Sequence, residues 1–499
     1  MDVQRYSIAD LMQQSGVTFG TSGVRGLVTA MTDRIVYAYT AAFLQYLRES
    51  GQVTVGEQVA VAGDYRPSTP GIMAAVCSAI RDSGMRVVNC GFVPSPAVVL
   101  YGIQRAIPSI MVTGSHIPDD RNGIKFNRPD GEILKQDEEA IRGQRVRLPE
   151  LLFDDSGAFV QTVDLPKVDL SAHAAYVSRY TDFFMEGCLR GMRIGLYEHS
   201  GVARESLAEV LETLGAKVIR LGFSDQFVPV DTEAIRPEDV VLAKNWTKEY
   251  SLDSIVSTDG DGDRPLISDE KGRWLRGDLA GMLCAVFLEA QWIATPVSSN
   301  SAVERSGRFK GVERTRIGSP YVISAMQSLL EEGRKGVVGY EANGGFLIAD
   351  SLSLQGRILG PLPTRDAIIV ILGILSQAKK NGQKISELLN TIPARYTYSN
   401  RLKSFPNELS RQRLQLFQSG DFERDSQAIE LAFEHRFGRV ESIDLTDGVR
   451  ITFSGGDVVH LRPSGNAPEL RCYTEADSER WVREMNQICI NLLEGWRVH

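Results

Sequence analysis

Ser115 stands in the run Thr113-Gly114-Ser115-His116-Ile117-Pro118, directly after the apolar stretch 107–112. That stretch reads as a buried strand, so a hydroxyl is offered at a strand's carboxyl end, where open α/β sheets place their chemistry. Further along, Asp259-Gly260-Asp261-Gly262-Asp263-Arg264 gathers three carboxylates in six residues. Gly339-Tyr340-Glu341-Ala342-Asn343-Gly344-Gly345 sets Glu341 and Asn343 among glycines, and Arg462-Pro463-Ser464-Gly465-Asn466-Ala467-Pro468 joins a guanidinium to hydroxyl, amide and backbone N–H groups. A nucleophile, a carboxylate cluster, a polar loop and an anion cradle together suggest phosphoryl transfer on a polar substrate.

Each motif has a plainer reading when taken alone. A single serine after glycine is commonly just a turn, and Ser115 lies in no GxSxG elbow; His116 and Lys125 are its nearby polar partners. The aspartates say more. Alternate residues of an extended loop point one way, so Asp259, Asp261 and Asp263 converge and repel one another unless a cation neutralises them. Oxygen-only ligands suit Mg²⁺. A calcium EF-hand is the rival, because Glu270 is twelfth counting from Asp259, but Arg264 takes the sixth place, where glycine is required, and Pro265 follows. Glu341 and Asn343 can accept from and donate to sugar hydroxyls, or simply end a strand. Arg462, Ser464, Gly465 and Asn466 read either as a phosphate cradle or as a proline–glycine turn. The glycine-rich segment 20–26 adds Arg25.

These loops need elements to hold them. Residues 33–48 carry one apolar helical face, 58–63 and 85–93 read as strands, and Ser68-Thr69-Pro70 starts a helix running to 82. The pattern recurs with strands at 193–197, 217–221 and 253–257 around a helix at 203–214. A third round has helices at 278–290 and 321–331 and strands at 293–297, 311–316 and 336–339. Three α/β units thus each place a polar loop after a strand. The last hundred residues read differently, as a strand meander (440–445, 449–453, 458–461, 470–473) closed by a helix over 477–496, with Arg462 opening the loop between the last two strands. Boundaries are expected near 165–172, 265–276 and 393–403, giving domains 1–168, 169–272, 273–396 and 397–499.

Bulk properties agree with this division. A chain of 499 residues exceeds one ordinary core. With 43% hydrophobic and 24% charged residues it reads as globular, and a net charge of −8 offers no basic excess for nucleic acid. A small anionic substrate needs only a locally positive pocket. The six cysteines form no CxxC pair, residues 1–11 show no signal-peptide pattern, and no stretch approaches the ~20 apolar residues of a membrane helix. A cytoplasmic protein is expected.

In this order, the motifs resemble the α-D-phosphohexomutase superfamily of phosphomannomutases and phosphoglucomutases, over nearly the whole chain. The resemblance implies three related α/β domains and a C-terminal α+β domain around a central active-site cleft. It implies that Ser115 carries the phosphoryl group and that Asp259, Asp261 and Asp263, together with that phosphoryl group, bind Mg²⁺. Arg264 matches the arginine beside the metal loop, Glu341 and Asn343 fall in the sugar-recognition loop, and Arg462, Ser464, Gly465 and Asn466 grip the non-reacting phosphate. Arg25, His116 and Lys125 match residues around the phosphoserine, where the resemblance implies help with proton transfer. The implied substrates are hexose phosphates and a hexose 1,6-bisphosphate, with mannose favoured. Glucose, glucosamine, a silent sugar-phosphate-binding paralogue and a metal-dependent phosphatase are the alternatives. Five positions depart from the family pattern: Ile117 replaces the usual asparagine, Asn343 a serine, Gly345 the histidine of bispecific members, and Asn466-Ala467 a threonine–glutamate pair.

Overall fold

The computed structural model describes residues 5–20, 23–149, 151–464 and 468–497. The chain divides into two compact units, 1–290 with 319–388, and 291–318 with 389–499.

The first unit opens with a mixed sheet. Its strands run in the order Thr18–Phe19, Gly23–Leu27, Arg121–Arg128, Ser109–Val112, Gln58–Gly63 and Arg86–Phe92. The last three are mutually parallel, and Arg121–Arg128 returns antiparallel to Ser109–Val112. Helix Asp33–Glu49 covers the sheet because Thr32 accepts the N–H of Ile35 as its cap and an apolar face buries Tyr39 and Phe43. Phe43 stacks on Phe126 of the returning strand, with ring centres 4.7 Å apart.

A second sheet follows, in the order Lys217–Phe223, Arg193–His199, Ser254–Thr258 and Pro265–Ile267, again parallel except for the last strand. A third group, Val337–Tyr340, Phe346–Ile348 and Leu362–Asp366, is antiparallel, and the apolar helix Ala367–Asn381 is buried nearly throughout.

One arrangement recurs three times. The serine loop links a strand to its antiparallel neighbour (Val112 opposite Ile124). So does the aspartate loop (Thr258 opposite Pro265), and so does the Glu341 loop (Tyr340 opposite Phe346). Each loop therefore closes a hairpin, and its ends are held by ladder hydrogen bonds.

The second unit contains the parallel pair Trp292–Pro296 and Gly311–Thr315. It also holds a five-stranded antiparallel sheet in the order Tyr396–Leu402, Leu470–Ala476, Val458–Pro463, Val449–Phe453 and Val440–Asp444. Helix Glu479–Glu494 packs on it, capped by Ser478, and buries Met485, Cys489 and Leu493. The strand Tyr396–Leu402 is additional to the four-strand meander read from the sequence. The strand Val458–Pro463 runs past Arg462, so that residue ends a strand rather than opening a loop.

Candidate functional site

Ser115 has a left-handed backbone, with φ of 57°. A non-glycine residue is held there only by its surroundings. The Ser115 N–H donates to Thr113 Oγ1 at 2.7 Å, and Thr113 Oγ1 donates to Asp64 Oδ2 at 2.7 Å. Beneath the loop lies Arg66, 1% exposed. Its guanidinium donates to the carbonyls of Ser115 (2.8 Å), Ile117 (2.6 Å), Pro118 (2.7 Å) and Arg121 (3.0 Å). So constrained, Ser115 Oγ donates to Asp259 Oδ2 at 2.7 Å.

The three aspartates do meet, but not as an extended loop. Residues 259–264 form a tight hairpin turn in which the Asp259 N–H donates to the Arg264 carbonyl at 3.1 Å and Gly262 adopts φ of 76°. The curled backbone, not strand alternation, brings one oxygen from each carboxylate within 4.8 Å of the others. Gly260 permits close approach, since a β-carbon there would lie 2.6 Å from the Ser115 carbonyl oxygen. Helix Ser95–Arg105 anchors the turn: the Ser95 N–H donates to the Asp261 carbonyl at 2.9 Å and Ser95 Oγ to Asp261 Oδ2 at 2.6 Å.

All three carboxylates are buried, at 0%, 0% and 1% exposure for Asp259, Asp261 and Asp263. Lys125 Nζ lies 2.5 Å from Asp261 Oδ2 and 2.7 Å from Asp263 Oδ2. Burial pushes Asp261 and Asp263 upward, yet cations outweigh it: Lys125 holds Asp261 below the ordinary range, and Arg365 leads in doing the same for Asp263. Asp259 is raised instead, by burial first and then by its two acidic neighbours. Asp261 Oδ1 and Asp263 Oδ1 are buried and accept no hydrogen bond among the described residues. Such unsatisfied anionic oxygens, in an all-oxygen donor set, fit a hard divalent cation.

Around this centre stand further cations. Arg264 donates through Nη1 to His116 Nδ1 at 2.8 Å, and its Nε lies 3.7 Å from Asp263 Oδ1. Burial, followed by the Arg264 charge, pushes His116 down to about 3, so the ring stays neutral. Arg25, on strand Gly23–Leu27 opposite Gly123, is lowered to about 10 by burial and then by Arg264 and Arg365. Glu341 is 4% exposed and 3.4 Å from Arg365 Nη1. Asn343 spends its side-chain oxygen on its own turn, accepting the Gly345 N–H at 2.9 Å. The first unit therefore brings Ser115, His116, Lys125, Arg25, Asp259, Asp261, Asp263, Arg264, Glu341 and Asn343 into one connected neighbourhood.

In the second unit, Arg462 Nε lies 2.9 Å from Asp447 Oδ1, and the Ser464 N–H donates to the Glu469 carbonyl at 2.8 Å. Gly465 and Asn466 lie outside the described residues.

Arg365 is the charged residue missed in the sequence; its Nε is 3.0 Å from Asp263 Oδ2 and it is 3% exposed. It sits at a strand end, Leu362–Asp366, with no glycine or repeated carboxylate to single it out. Asp64 and Arg66 did carry a signal, a charged pair directly after the strand Gln58–Gly63.

Comparison with known proteins covers the chain domain by domain. The models for phosphoglucomutase/phosphomannomutase α/β/α domains I, II and III match residues 16–147, 174–272 and 276–396, and that for the C-terminal domain matches 422–490. The chain is 45% identical to a phosphomannomutase of Salmonella muenchen over 95% of each chain. It is 44% identical to one of Sinorhizobium fredii, over 93% of this chain and 95% of that one. A phosphoglucomutase/phosphomannomutase family protein from Burkholderia thailandensis shares the fold, with a TM-score of 0.70 at 18% identity over 96% of this chain and 97% of that one. With matched segments spanning all three site-bearing hairpins and relatives of such identity across nearly the full length, the chain belongs to the phosphoglucomutase/phosphomannomutase family.

Proposed function

We propose that the protein interconverts hexose 6-phosphate and hexose 1-phosphate, with mannose preferred, through phosphorylated Ser115 and a 1,6-bisphosphate. The observation that carries the chemistry is the 2.7 Å contact of Ser115 Oγ with Asp259, within a buried three-carboxylate turn. A hydroxyl beside buried acceptors and surrounded by Lys125, Arg264, Arg25 and Arg365 suits carriage of a dianionic phosphoryl group better than hydrolysis by a histidine-activated serine. The preference for mannose rests on the Salmonella muenchen and Sinorhizobium fredii relatives.

In the forward direction the Oγ–P bond of phosphorylated Ser115 breaks as phosphorus bonds to the free sugar hydroxyl, whose proton passes to Ser115 Oγ. The bisphosphate then presents its other phosphate, which is transferred to Ser115 as the Ser115 proton passes to the sugar oxygen. Asp259, Asp261 and Asp263 would hold Mg²⁺, whose charge offsets that of the transferring group when bound. Arg264 fixes the neutral His116 ring against Ser115, whose Oγ lies 3.4 Å from His116 Nδ1. Glu341 offers a carboxylate to sugar hydroxyls, held in place by Arg365. In the second unit Arg462 and Ser464 are assigned to the non-reacting phosphate, and Gly465 and Asn466 to the same loop by the family pattern. Positioning and electrostatics supply most of the rate.

The test is a coupled assay of mannose, glucose and glucosamine phosphates on wild type and Ser115→Ala, with intact-mass measurement after exposure to hexose 1,6-bisphosphate. Wild type should gain one phosphoryl group and favour mannose, and Ser115→Ala should do neither. Normal turnover by Ser115→Ala sinks the mechanism, and net phosphate release in place of isomer conversion identifies a phosphatase.

A further inference from the structure

The segment between strand Lys217–Phe223 and helix Pro237–Tyr250 touches two of the hairpin loops of the first unit and the Arg66 guanidinium that holds the third. At one end Phe227 lies under the Arg66 guanidinium, with its ring centre 4.0 Å from Arg66 Cζ. The same ring borders the aspartate turn, where a β-carbon on Gly260 would meet Phe227 Cζ at 3.1 Å. The Val228 N–H donates to Ser200 Oγ at 2.7 Å, fixing the course of the chain. At the other end Thr232 Oγ1, 4% exposed, donates to the Asn343 carbonyl in the Glu341 loop at 2.9 Å.

Thr232 is thus the inward anchor of Asp231-Thr232-Glu233. Its neighbours are less buried: Asp231 is half-buried and Glu233 exposed. Asp231 folds its carboxylate onto the Glu233 N–H at 2.9 Å, which sets the backbone carrying Glu233. Desolvation by the surrounding protein raises the Glu233 carboxyl above its ordinary range, with the Arg264 charge opposing it and Asp231 and Glu341 adding to it. The Thr232–Asn343 hydrogen bond thus brings the loop of Glu233 against the loop of Glu341, whose carboxylate lies 3.4 Å from Arg365 Nη1. Ionised carboxylates accept hydrogen bonds and never donate them, so the pair selects a ligand that presents donors at two adjacent positions.

We infer that Glu233 is a specificity-determining residue, which pairs with Glu341 to read neighbouring hydroxyls of the hexose ring and so distinguishes epimers. The inference rests on the proposed mutase function. Thr232 acts as its positioning residue by tying Glu233 to the Glu341 loop. An epimer that turns one hydroxyl away leaves a carboxylate without its donor, and such a loss typically costs far more than a lost apolar contact.

The experiment measures kcat and KM for mannose 1-phosphate and glucose 1-phosphate on wild type, Glu233→Ala, Glu233→Gln and Thr232→Val. Ser115 phosphorylation by a hexose 1,6-bisphosphate serves as a separate readout. Glu233→Ala should raise KM for the preferred epimer about tenfold and shrink the ratio between epimers by a similar factor. Its Ser115 should still be fully phosphorylated at saturating bisphosphate, with a higher bisphosphate concentration needed for half-completion. Glu233→Gln, which keeps one acceptor oxygen, should fall between, and Thr232→Val should move in the same direction as Glu233→Ala. An unchanged epimer ratio in Glu233→Ala, in a protein whose wild type turns over both sugars, overturns this inference alone. A wild type that neither turns over sugar phosphates nor phosphorylates Ser115 overturns the underlying function and this inference with it.

Discussion

Arg66 Nη2 donates to the carbonyl of Ser115 at 2.8 Å, so the candidate nucleophile is placed by a residue that never reaches the reacting atoms. Four carbonyls converge on this one guanidinium, and Asp64 balances its charge through Nε at 3.1 Å. Gly114 belongs to the same arrangement, because a β-carbon there would lie 2.6 Å from Arg66 Cζ. Arg66→Lys keeps the charge but cannot serve four acceptors in a plane. It should lower kcat by about 100-fold through misplacement of Ser115. Arg66→Ala should destabilise the fold by about 3–5 kcal/mol, because Asp64 is left buried and unpaired. Turnover and denaturant titration check both. The same geometry explains Ile117: the loop uses its carbonyl, at 2.6 Å from Arg66 Nη2, and leaves its side chain half-exposed. Ile117→Asn should therefore change turnover by no more than about twofold.

Ser115 and the aspartate triad were legible because each follows an apolar strand, and strand-end loops are local patterns. The hairpin that curls the aspartates together was not, since it depends on Pro265–Ile267 turning back onto Ser254–Thr258. Arg365 and Arg66 show why local patterns run out. Arg365 stands in no motif and Arg66 shows only its place after a strand, and the importance of each arises from partners in distant segments, Asp263 and Glu341 for one and the serine loop for the other. Asp231-Thr232-Glu233 is illegible for the same reason, as a polar connection whose partner Asn343 lies in the loop of a distant hairpin.

Lys125 bridges Asp261 and Asp263, at 2.5 and 2.7 Å, and offsets part of their charge. Removing it should leave the three carboxylates repelling one another with less compensation. Lys125→Met is therefore expected to lower the Tm of chelator-treated protein and to enlarge the rise in Tm on adding Mg²⁺. Asp261→Asn should abolish most of that rise. Chelation should stop turnover in wild type, and re-addition of Mg²⁺ should restore it. Thermal melts with and without Mg²⁺ separate the stability effect from the catalytic one.

His199 and His460 give the protein an acid limb of stability. His199 is 1% exposed, with Nε2 2.9 Å from the Thr258 carbonyl, and His460 is 2% exposed, with Nε2 2.6 Å from the Asp447 carbonyl. Burial lowers each from 6.5 to about 4. The folded rings stay neutral where the unfolded rings take up protons. Their contribution is thus fully present above pH 6.5 and is lost as pH falls toward 4, at up to about 1.4 kcal/mol per histidine for each pH unit. Tm should fall between pH 7 and pH 5. The ring proton resonances of these two histidines should show no titration above pH 5.

Gly345 is where the chain departs from the histidine of bispecific family members, and Arg365 accounts for the space. A β-carbon at position 345 would lie 2.5 Å from Arg365 Cδ and 2.6 Å from its Cγ. A long side chain normally yields to such a contact at little cost. Arg365 cannot swing freely, because its head is held between Asp263 at 3.0 Å and Glu341 at 3.4 Å while the residue is 3% exposed. Gly345→Ala must therefore displace the guanidinium from one acidic partner, loosening a candidate metal ligand or the candidate sugar-binding carboxylate. Turnover should fall by about 10- to 100-fold, with the fold retained. If displacement of Arg365 is the cause, removing the arginine should already incur the same loss. Kinetics of Gly345→Ala, Arg365→Gln and the double variant form the cycle that decides it. The double variant should be no worse than Arg365→Gln, and fully additive losses would show that Gly345 acts by another route.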